Sequence, residues 1–194
     1  MRPMLAADFH GASLRWPYLG SPKLDGIRCI VKDGTAFTRS LKQVRNQYIQ
    51  RYIAKYQDLL QHADGELVVG PSNDHGVYNV TNSGVMSADG EPDFHFYVFD
   101  MVDDTGKTFL HRQQIMSNRL AALAAPRISW LPQQYLPSQD ELMAYEERIV
   151  DLGYEGVMLR SPTSLYKLGR ATPKEATLLK LKRFLDAEAE IIGF

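Results

Sequence analysis

The sequence predicts an α+β domain built on largely antiparallel sheets. Three observations carry this. Strand-like and helix-like runs are mixed along the chain without the regular βαβ alternation of a parallel sheet. A hairpin is written near the start, where Gly26 to Val31 is apolar and β-branched, Asp33-Gly34 follows, and Thr35-Ala36-Phe37-Thr38 returns. A dense aromatic run from Phe94 to Val102 supplies a strong further strand.

The remaining elements follow in order. Tyr48, Ile49, Tyr52, Ile53, Tyr56, Leu59 and Leu60 recur at helical spacing, and this aromatic stripe reads as core. Glu66 to Val69 reads as a strand entered through Asp64-Gly65. Residues 72–93 are rich in Asn, Ser, Asp and Gly and read as a long loop. Arg112 to Ala124 reads as a helix ending near Pro126. Ser138-Gln139-Asp140-Glu141 is a capping box, and Gly153 sits where a helix stops, so a helix is expected to about Leu152. Glu155 to Arg160 is expected as a strand, 161–175 as a loop, Thr177 to Arg183 as a strand, and Ala187 to Ile192 as the start of another.

Composition excludes several classes. The chain has 194 residues, 44% hydrophobic and 23% charged, which suits one sizeable globular domain. No apolar run approaches a membrane span, and the N-terminus has too few apolar residues for a secretory signal. The single cysteine, Cys29, excludes an internal disulfide framework and fits a reducing compartment. The net charge of −1 gives no global nucleic-acid signature. The charges are uneven, however. Arg160, Lys167, Arg170, Lys174, Lys180, Lys182 and Arg183 face one acid, Glu175, in the last third. That stretch can meet phosphates, though taken alone a solvated face is the simpler account.

The chemistry is concentrated in Lys23-Leu24-Asp25-Gly26-Ile27-Arg28. This segment sets an amine, a carboxylate, a flexible joint and a guanidinium side by side, a set suited to a lysine that attacks phosphorus. Four such fixed residues arise by chance in roughly one of several hundred chains of this length. An unperturbed lysine, with a pKa near 10.4, is almost wholly ammonium at neutral pH. Cations or desolvation must therefore favour the neutral amine. Lys180, Lys182, Arg28 and a bound divalent metal are the candidate neighbours. Gly26 is expected to let the backbone approach a nucleotide without a Cβ in the way. In a strand, Lys180 and Lys182 share one face, with Leu179 and Leu181 on the other. Two lysines there stabilise charge developing on phosphate oxygens as a leaving group departs. The same alternation groups Glu155 with Val157, opposite Met158 and Arg160. His75 and His95 show no metal-ligand spacing.

The K-x-D-G-x-R pattern resembles the signature of covalent nucleotidyltransferases. In its setting, Pro22 to Arg28, it looks like an ATP-dependent DNA ligase of bacteriophage type. Further segments resemble that family in its own order. They are Thr38-Arg39-Ser40-Leu41-Lys42 with Asn46, Asp64-Gly65-Glu66-Leu67, Phe94 to Asp100, Glu155 to Arg160, Tyr166-Lys167-Leu168-Gly169-Arg170 and Leu178 to Lys182. Thr38 departs from the commoner serine. The resemblance runs from Pro3 to Phe194.

It implies an ATP-grasp-like adenylation domain of two antiparallel sheets flanked by helices, with the nucleotide in a groove between them. It implies AMP carried on Lys23 and transferred to the 5′-phosphate of nicked double-stranded DNA, where the adjacent 3′-hydroxyl then attacks. Asp25, Arg28, Lys180 and Lys182 are its expected catalytic partners. Arg28, Arg39, Glu66, Phe99, Val157, Lys180 and Lys182 are expected to hold the nucleotide, Glu66 at the ribose, Phe99 stacked on adenine and Val157 lining its slot. Glu155 and Asp25 are expected to hold Mg²⁺ or Mn²⁺, and Asp100 is left to a structural or a metal-linked role. A monomer in the cytoplasm of a bacterial or phage-infected cell is expected.

The resemblance implies that residues 1–186 form the adenylation domain and that 187–194 start a linker into a C-terminal OB-fold domain expected to be absent here. That domain carries a basic motif thought to orient pyrophosphate, so this chain alone is expected to react poorly with free ATP. Within enzymes the rivals are an RNA ligase or an mRNA-capping guanylyltransferase, which share Lys-x-Asp-Gly. An NAD-dependent ligase fits less well, because only 22 residues precede Lys23. A rival of another class is a non-catalytic nick-binding module.

Overall fold

Burial alternates along the aromatic run. Phe94, Phe96 and Val98 are buried, while His95, Tyr97 and Phe99 are partly open, the period of a strand with one face in a core. The computed structural model describes residues 2–9, 14–103 and 105–182. Its strands are β1 (Met4–Leu5), β2 (Ala7–Asp8), β3 (Tyr18–Pro22), β4 (Ile27–Lys32), β5 (Thr35–Thr38), β6 (Ala63–Val69), β7 (Phe94–Met101), β8 (Ile128–Trp130), β9 (Gln134–Leu136), β10 (Gly156–Arg160), β11 (Gly169–Arg170) and β12 (Leu178–Lys182). Its helices are α1 (Gln47–Ala54), α2 (Gln57–Leu60), α3 (Val77–Met86), α4 (Phe109–Ala121) and α5 (Gln139–Asp151).

The strands form two five-stranded sheets. One runs β2-β12-β10-β3-β9 and the other β5-β4-β6-β7-β8, while β1 and β11 make a two-stranded ribbon. Most pairs are antiparallel, as predicted. The parallel pairs are β1 with β11, β2 with β12 and β7 with β8. The β4–β5 hairpin turns at Asp33 and Gly34, both at positive φ (49° and 71°), as the Asp-Gly pair requires.

Each sheet has its own core. Cys29, Val31, Leu67, Phe94 and Phe96 pack with Ile49, Ile53 and Met116 of α1 and α4. Tyr18, Val157, Leu159 and Leu179 pack with Leu142, Tyr145 and Ile149 of α5. Because strand side chains alternate, β4 also presents Ile30 to the opposite side, where it meets Met4, Val102, Tyr166 and Leu178. That third cluster joins the two sheets.

A buried ion cluster joins them too. Asp100 of β7 accepts from Arg112 Nε (2.7 Å) and Nη2 (3.2 Å) of α4, and from Arg160 Nη1 of β10. Asp100 and Arg112 are fully buried. Asp100 thus acts as a structural brace between the sheets.

Several expectations need correction. Residues 72–93 are not a loop throughout, because α3 occupies Val77–Met86. Its composition favours turns, but Val77, Thr81 and Val85 are buried at four-residue spacing, and Thr81 Oγ1 accepts from Val69 N at 2.9 Å. Gly84 lets it approach Pro92 and Val69, where a Cβ would stand at 3.0 and 3.2 Å. The predicted helix from Tyr48 to Leu60 is two helices. The chain leaves helical geometry at Tyr56 (φ −117°, ψ 24°), and α2 then closes on the hairpin tip, with Gln61 and Asp33 bonded to each other.

The helix expected from Arg112 starts at Phe109, after Thr108 caps His111 N. The capping box behaves as read, since Ser138 Oγ accepts from Glu141 N (3.3 Å) and Gly153 follows α5 at φ +92°. The strands before Lys23, and β8 and β9, carry no strong alternation, and β11 interrupts the stretch 161–175 expected as a loop. The strand expected at 187–192 and the linker at 187–194 lie outside the described residues. Among the described residues, no helix is long and apolar enough to cross a membrane.

Candidate active site

Between the two sheets lies a cleft of about 690 Å³. Its floor and walls come from segments far apart in sequence. Lys23 and Arg28 flank the start of β4, Arg39 follows β5, Glu66 lies on β6, Phe99 on β7, and Lys180 and Lys182 on β12; all seven line the cleft.

Lys23 leaves β3 with its backbone N–H donating to Gly156 O at 2.8 Å. Its ammonium pairs with one carboxylate oxygen of Glu155, and Lys182 pairs with the other. Lys180 pairs with Asp8 at 3.0 Å. The register explains the grouping, because Met158 faces Lys180 and Gly156 faces Lys182 across β10 and β12. Leu179 and Leu181 point to the α5 side, as the alternation predicts. Burial opposes ionisation of Glu155, but bonds from Lys182 and Lys23 outweigh it and hold the carboxyl below the ordinary range.

Arg28 is fixed by Asp64, which accepts from Nε at 2.5 Å and from Nη2 at 2.7 Å. Its guanidinium carbon stands 4.7 Å from the centroid of the Phe99 ring. Phe99 packs beside Leu24, Val68, Val77 and Leu131.

Glu66 lies beside Arg28 in the β4–β6 register. Burial pushes its carboxyl up to about 7, against the opposing pull of Arg28 and Lys23. The folded chain therefore holds a proton that the unfolded chain, with an ordinary value of 4.5, has released. Between those values the folded state binds more protons, so this group makes stability fall as pH rises from 4.5 through 7. Thermal unfolding of wild type against Glu66→Gln is expected to expose it. The wild type loses ground on the variant from pH 5 to pH 8, and a pH-independent difference refutes the shift.

Several assignments change or gain a second reason. Val157 does not line the cleft; it is fully buried among Tyr18, Tyr145 and Ile149 under α5, and Met158 lines the cleft in its place. The grouping of Glu155 with Val157 fails because Gly156 intervenes at φ +151°, which returns the Glu155 carboxylate to the lysine side. Gly26 is also needed for another reason. A Cβ there would collide with the backbone oxygen of Leu67, so the glycine serves the approach of β4 to β6. Asp25 is half-buried and outside the cleft lining, although its charge helps raise Glu66.

Sequence reasoning missed Asp64 and Arg160 as site residues. Asp64 sits in the quoted Asp64-Gly65-Glu66 segment, and Arg160 lines the cleft while bonded to Asp100. Asn46 caps α1 through Ile49 N (3.0 Å) and donates to Asp89 O and Gly90 O, so it acts in the fold. His95 bonds Ser129 Oγ at 2.8 Å, an ordinary polar contact. Among the described residues, no three His, Cys, Asp or Glu side chains gather as a metal site.

Known proteins resemble this chain in sequence and fold. Residues 3–182 match the family of the ATP dependent DNA ligase domain. A DNA ligase of African swine fever virus (isolate Warthog/Namibia/Wart80/1980) is 25% identical over 186 residues, covering 89% of this chain and 43% of the viral protein. The crystal structure of Chlorella virus DNA ligase-adenylate superposes with a TM-score of 0.82 at 33% identity, over 96% of this chain and 70% of that one. A structure from a structure-function analysis of Lig E DNA ligases superposes at 0.75 with 26% identity, over 94% of this chain and 69% of that one.

Two sheets with flanking helices match the fold of a DNA ligase adenylation domain. The chain belongs to the ATP-dependent DNA ligase domain family. It spans less than half the length of the African swine fever virus ligases it resembles.

Proposed function

We propose that this chain carries an adenylyl group on Lys23 and delivers it to the 5′-phosphate at a nick in double-stranded DNA, after which the neighbouring 3′-hydroxyl attacks and releases AMP. The observation that carries this reading is the placement of the Lys23 amine at the cleft, on a carboxylate that Lys182 shares.

The chemistry follows from the groups present. The Lys23 nitrogen, once it has lost a proton, attacks the α-phosphorus of ATP. An N–P bond forms, the P–O bond to pyrophosphate breaks, and the electron pair leaves with pyrophosphate. Lys180 and Lys182 on one strand face stabilise charge on the phosphate oxygens. A ribose hydroxyl donates to Glu66, and Phe99 offers its ring to the base. Arg39, exposed at the rim, is available to a phosphate.

The residues fit a divalent cation held largely by phosphate oxygens, since Glu155 offers one carboxylate and its oxygens are engaged by ammonium groups that can exchange. Such a cation supplies charge neutralisation when bound. Asp25 and Glu155 both lie outside the cleft lining, and Glu155 is preferred as the ligand because its carboxylate is bonded to Lys23 and Lys182, which line it.

Intact-mass measurement after incubation with ATP and Mg²⁺ tests the proposal. A gain of one adenylyl group that hydroxylamine at acid pH removes is expected, as for a phosphoramidate. Nicked DNA is then expected to discharge it. Loading from GTP in preference to ATP, or discharge to nicked RNA alone, points instead to the guanylyltransferase or RNA-ligase rival. No mass gain under any condition refutes the proposal.

A further inference from the structure

We infer that Tyr166 is a positioning residue for Arg28, an assignment that rests on the ligase reading above. Tyr166 is outside the cleft lining, whereas Arg28 reaches into it. What links them is a closed ring of hydrogen bonds drawn from four separate segments. Arg28 Nη2 donates to Met4 O at 3.1 Å and to Asp64 Oδ2 at 2.7 Å. The Tyr166 hydroxyl donates to the same Asp64 oxygen at 2.6 Å. Met4 N–H donates to the Tyr166 oxygen at 3.0 Å and so closes the ring.

The ring is dry. Met4 and Asp64 are fully buried, and Tyr166 is 8% exposed. A phenol has one hydrogen to give, so donating to Asp64 while accepting from Met4 fixes its direction. Asp64 in turn grips Arg28 in a two-point fork, which sets the plane of the guanidinium. These bonds use Nε and Nη2 and leave Nη1 out of the ring. The guanidinium carbon lies 4.7 Å from the Phe99 centroid, so the orientation of Arg28 also sets its packing on the ring proposed to meet the base. The N-terminal strand β1 and the loop before β11 thereby act on the cleft without lining it at Met4 or Tyr166.

Tyr166→Phe isolates the effect. The ring keeps its packing with Met4, Ile30, Val102 and Leu178 and its place 5.4 Å from the Arg112 guanidinium. Only the hydroxyl is lost. Met4 N–H then has no acceptor in the ring, and Asp64 loses one of its three donated bonds.

Two readouts on the full chain test the assignment, at a temperature where every variant is folded by circular dichroism. The first is hydrogen exchange at Arg28 Nε by NMR, which reports orientation whether or not the chain reacts. Exchange is expected to quicken by roughly tenfold or more in Tyr166→Phe. The second is single-turnover adenylylation at saturating ATP. The rate is expected to fall roughly ten- to a hundredfold, as for other residues that orient a reacting group, with little change in KM. Tyr166→Phe added to Arg28→Gln is expected to slow the reaction no further.

Wild-type exchange at Nε overturns the assignment, as do effects of the two substitutions that multiply. If the unaltered chain accepts no adenylate, the ligase reading fails by itself, and the exchange measurement still decides whether Tyr166 holds Arg28.

Discussion

Lys23→Ala is expected to abolish uptake of adenylate, with the rate of adduct formation falling at least roughly a thousandfold, because no other group replaces a nucleophile that forms the covalent bond. Folding is not expected to fail with it. The Lys23 side chain retains 17% exposure, and its partner Glu155 keeps the bond from Lys182. Lys23→Arg is the sharper control. It keeps a positive charge near Glu155 but supplies a group that does not deprotonate in proteins. Both variants are therefore expected to show unchanged mass after incubation with ATP and Mg²⁺. Normal adduct formation by either one moves the chemistry to another residue and overturns the proposed mechanism. Residual nick closure by Lys23→Arg on DNA that already carries a 5′-adenylate is compatible with it, since that substrate bypasses the lysine.

Asp100→Ala is expected to destabilise the fold by about 3–5 kcal/mol, the cost of stripping a buried charge of its partner. Two arginines lose their carboxylate at once. Arg112 has no solvent exposure and Arg160 has 7% at its side chain, so neither can recover its hydration. Arg112 keeps bonds to Lys107 O (2.7 Å) and Ser164 O (3.0 Å), which limits the loss on its side. Urea unfolding measures the difference through the shift in midpoint. A change below about 1 kcal/mol contradicts the bracing role, since a solvated ion pair gives no more than that. Because Asp100 lies on β7 and Arg160 on β10, the substitution is also expected to loosen one sheet against the other, and with them the cleft.

Much of the site could be read from residue order. Lys23 in its segment, Arg39 beyond the hairpin, Glu66 after Asp64-Gly65, Phe99 in the aromatic strand and the Lys180–Lys182 pair all line one cleft. The lysine pair was legible from strand alternation alone, because neighbours in a strand face opposite ways whatever surrounds them. Val157 was misplaced by the same rule. Alternation was carried back through Gly156, whose φ of +151° resets the direction of the chain at Glu155.

Glycine hid another fact. Gly26 lines the cleft, and a Cβ there would also meet the backbone of β6. The helix α3 was invisible because its Asn, Ser and Gly residues have weak local preference, and packing against β6 makes it helical.

The sequence by itself determined the α+β class, the hairpin, the α5 cap and the set of side chains able to handle a nucleotide. These depend on local rules, namely turn geometry, capping and the two-residue period of a strand. Tertiary structure alone decided which charges neutralise one another. Glu155 is separated from Lys23 by 132 positions and Tyr166 from Asp64 by 102, so no local pattern relates them. Pairings of that kind are set when two sheets close on each other, because burying one charge leaves an opposite charge or a hydrogen bond as the favourable neighbour.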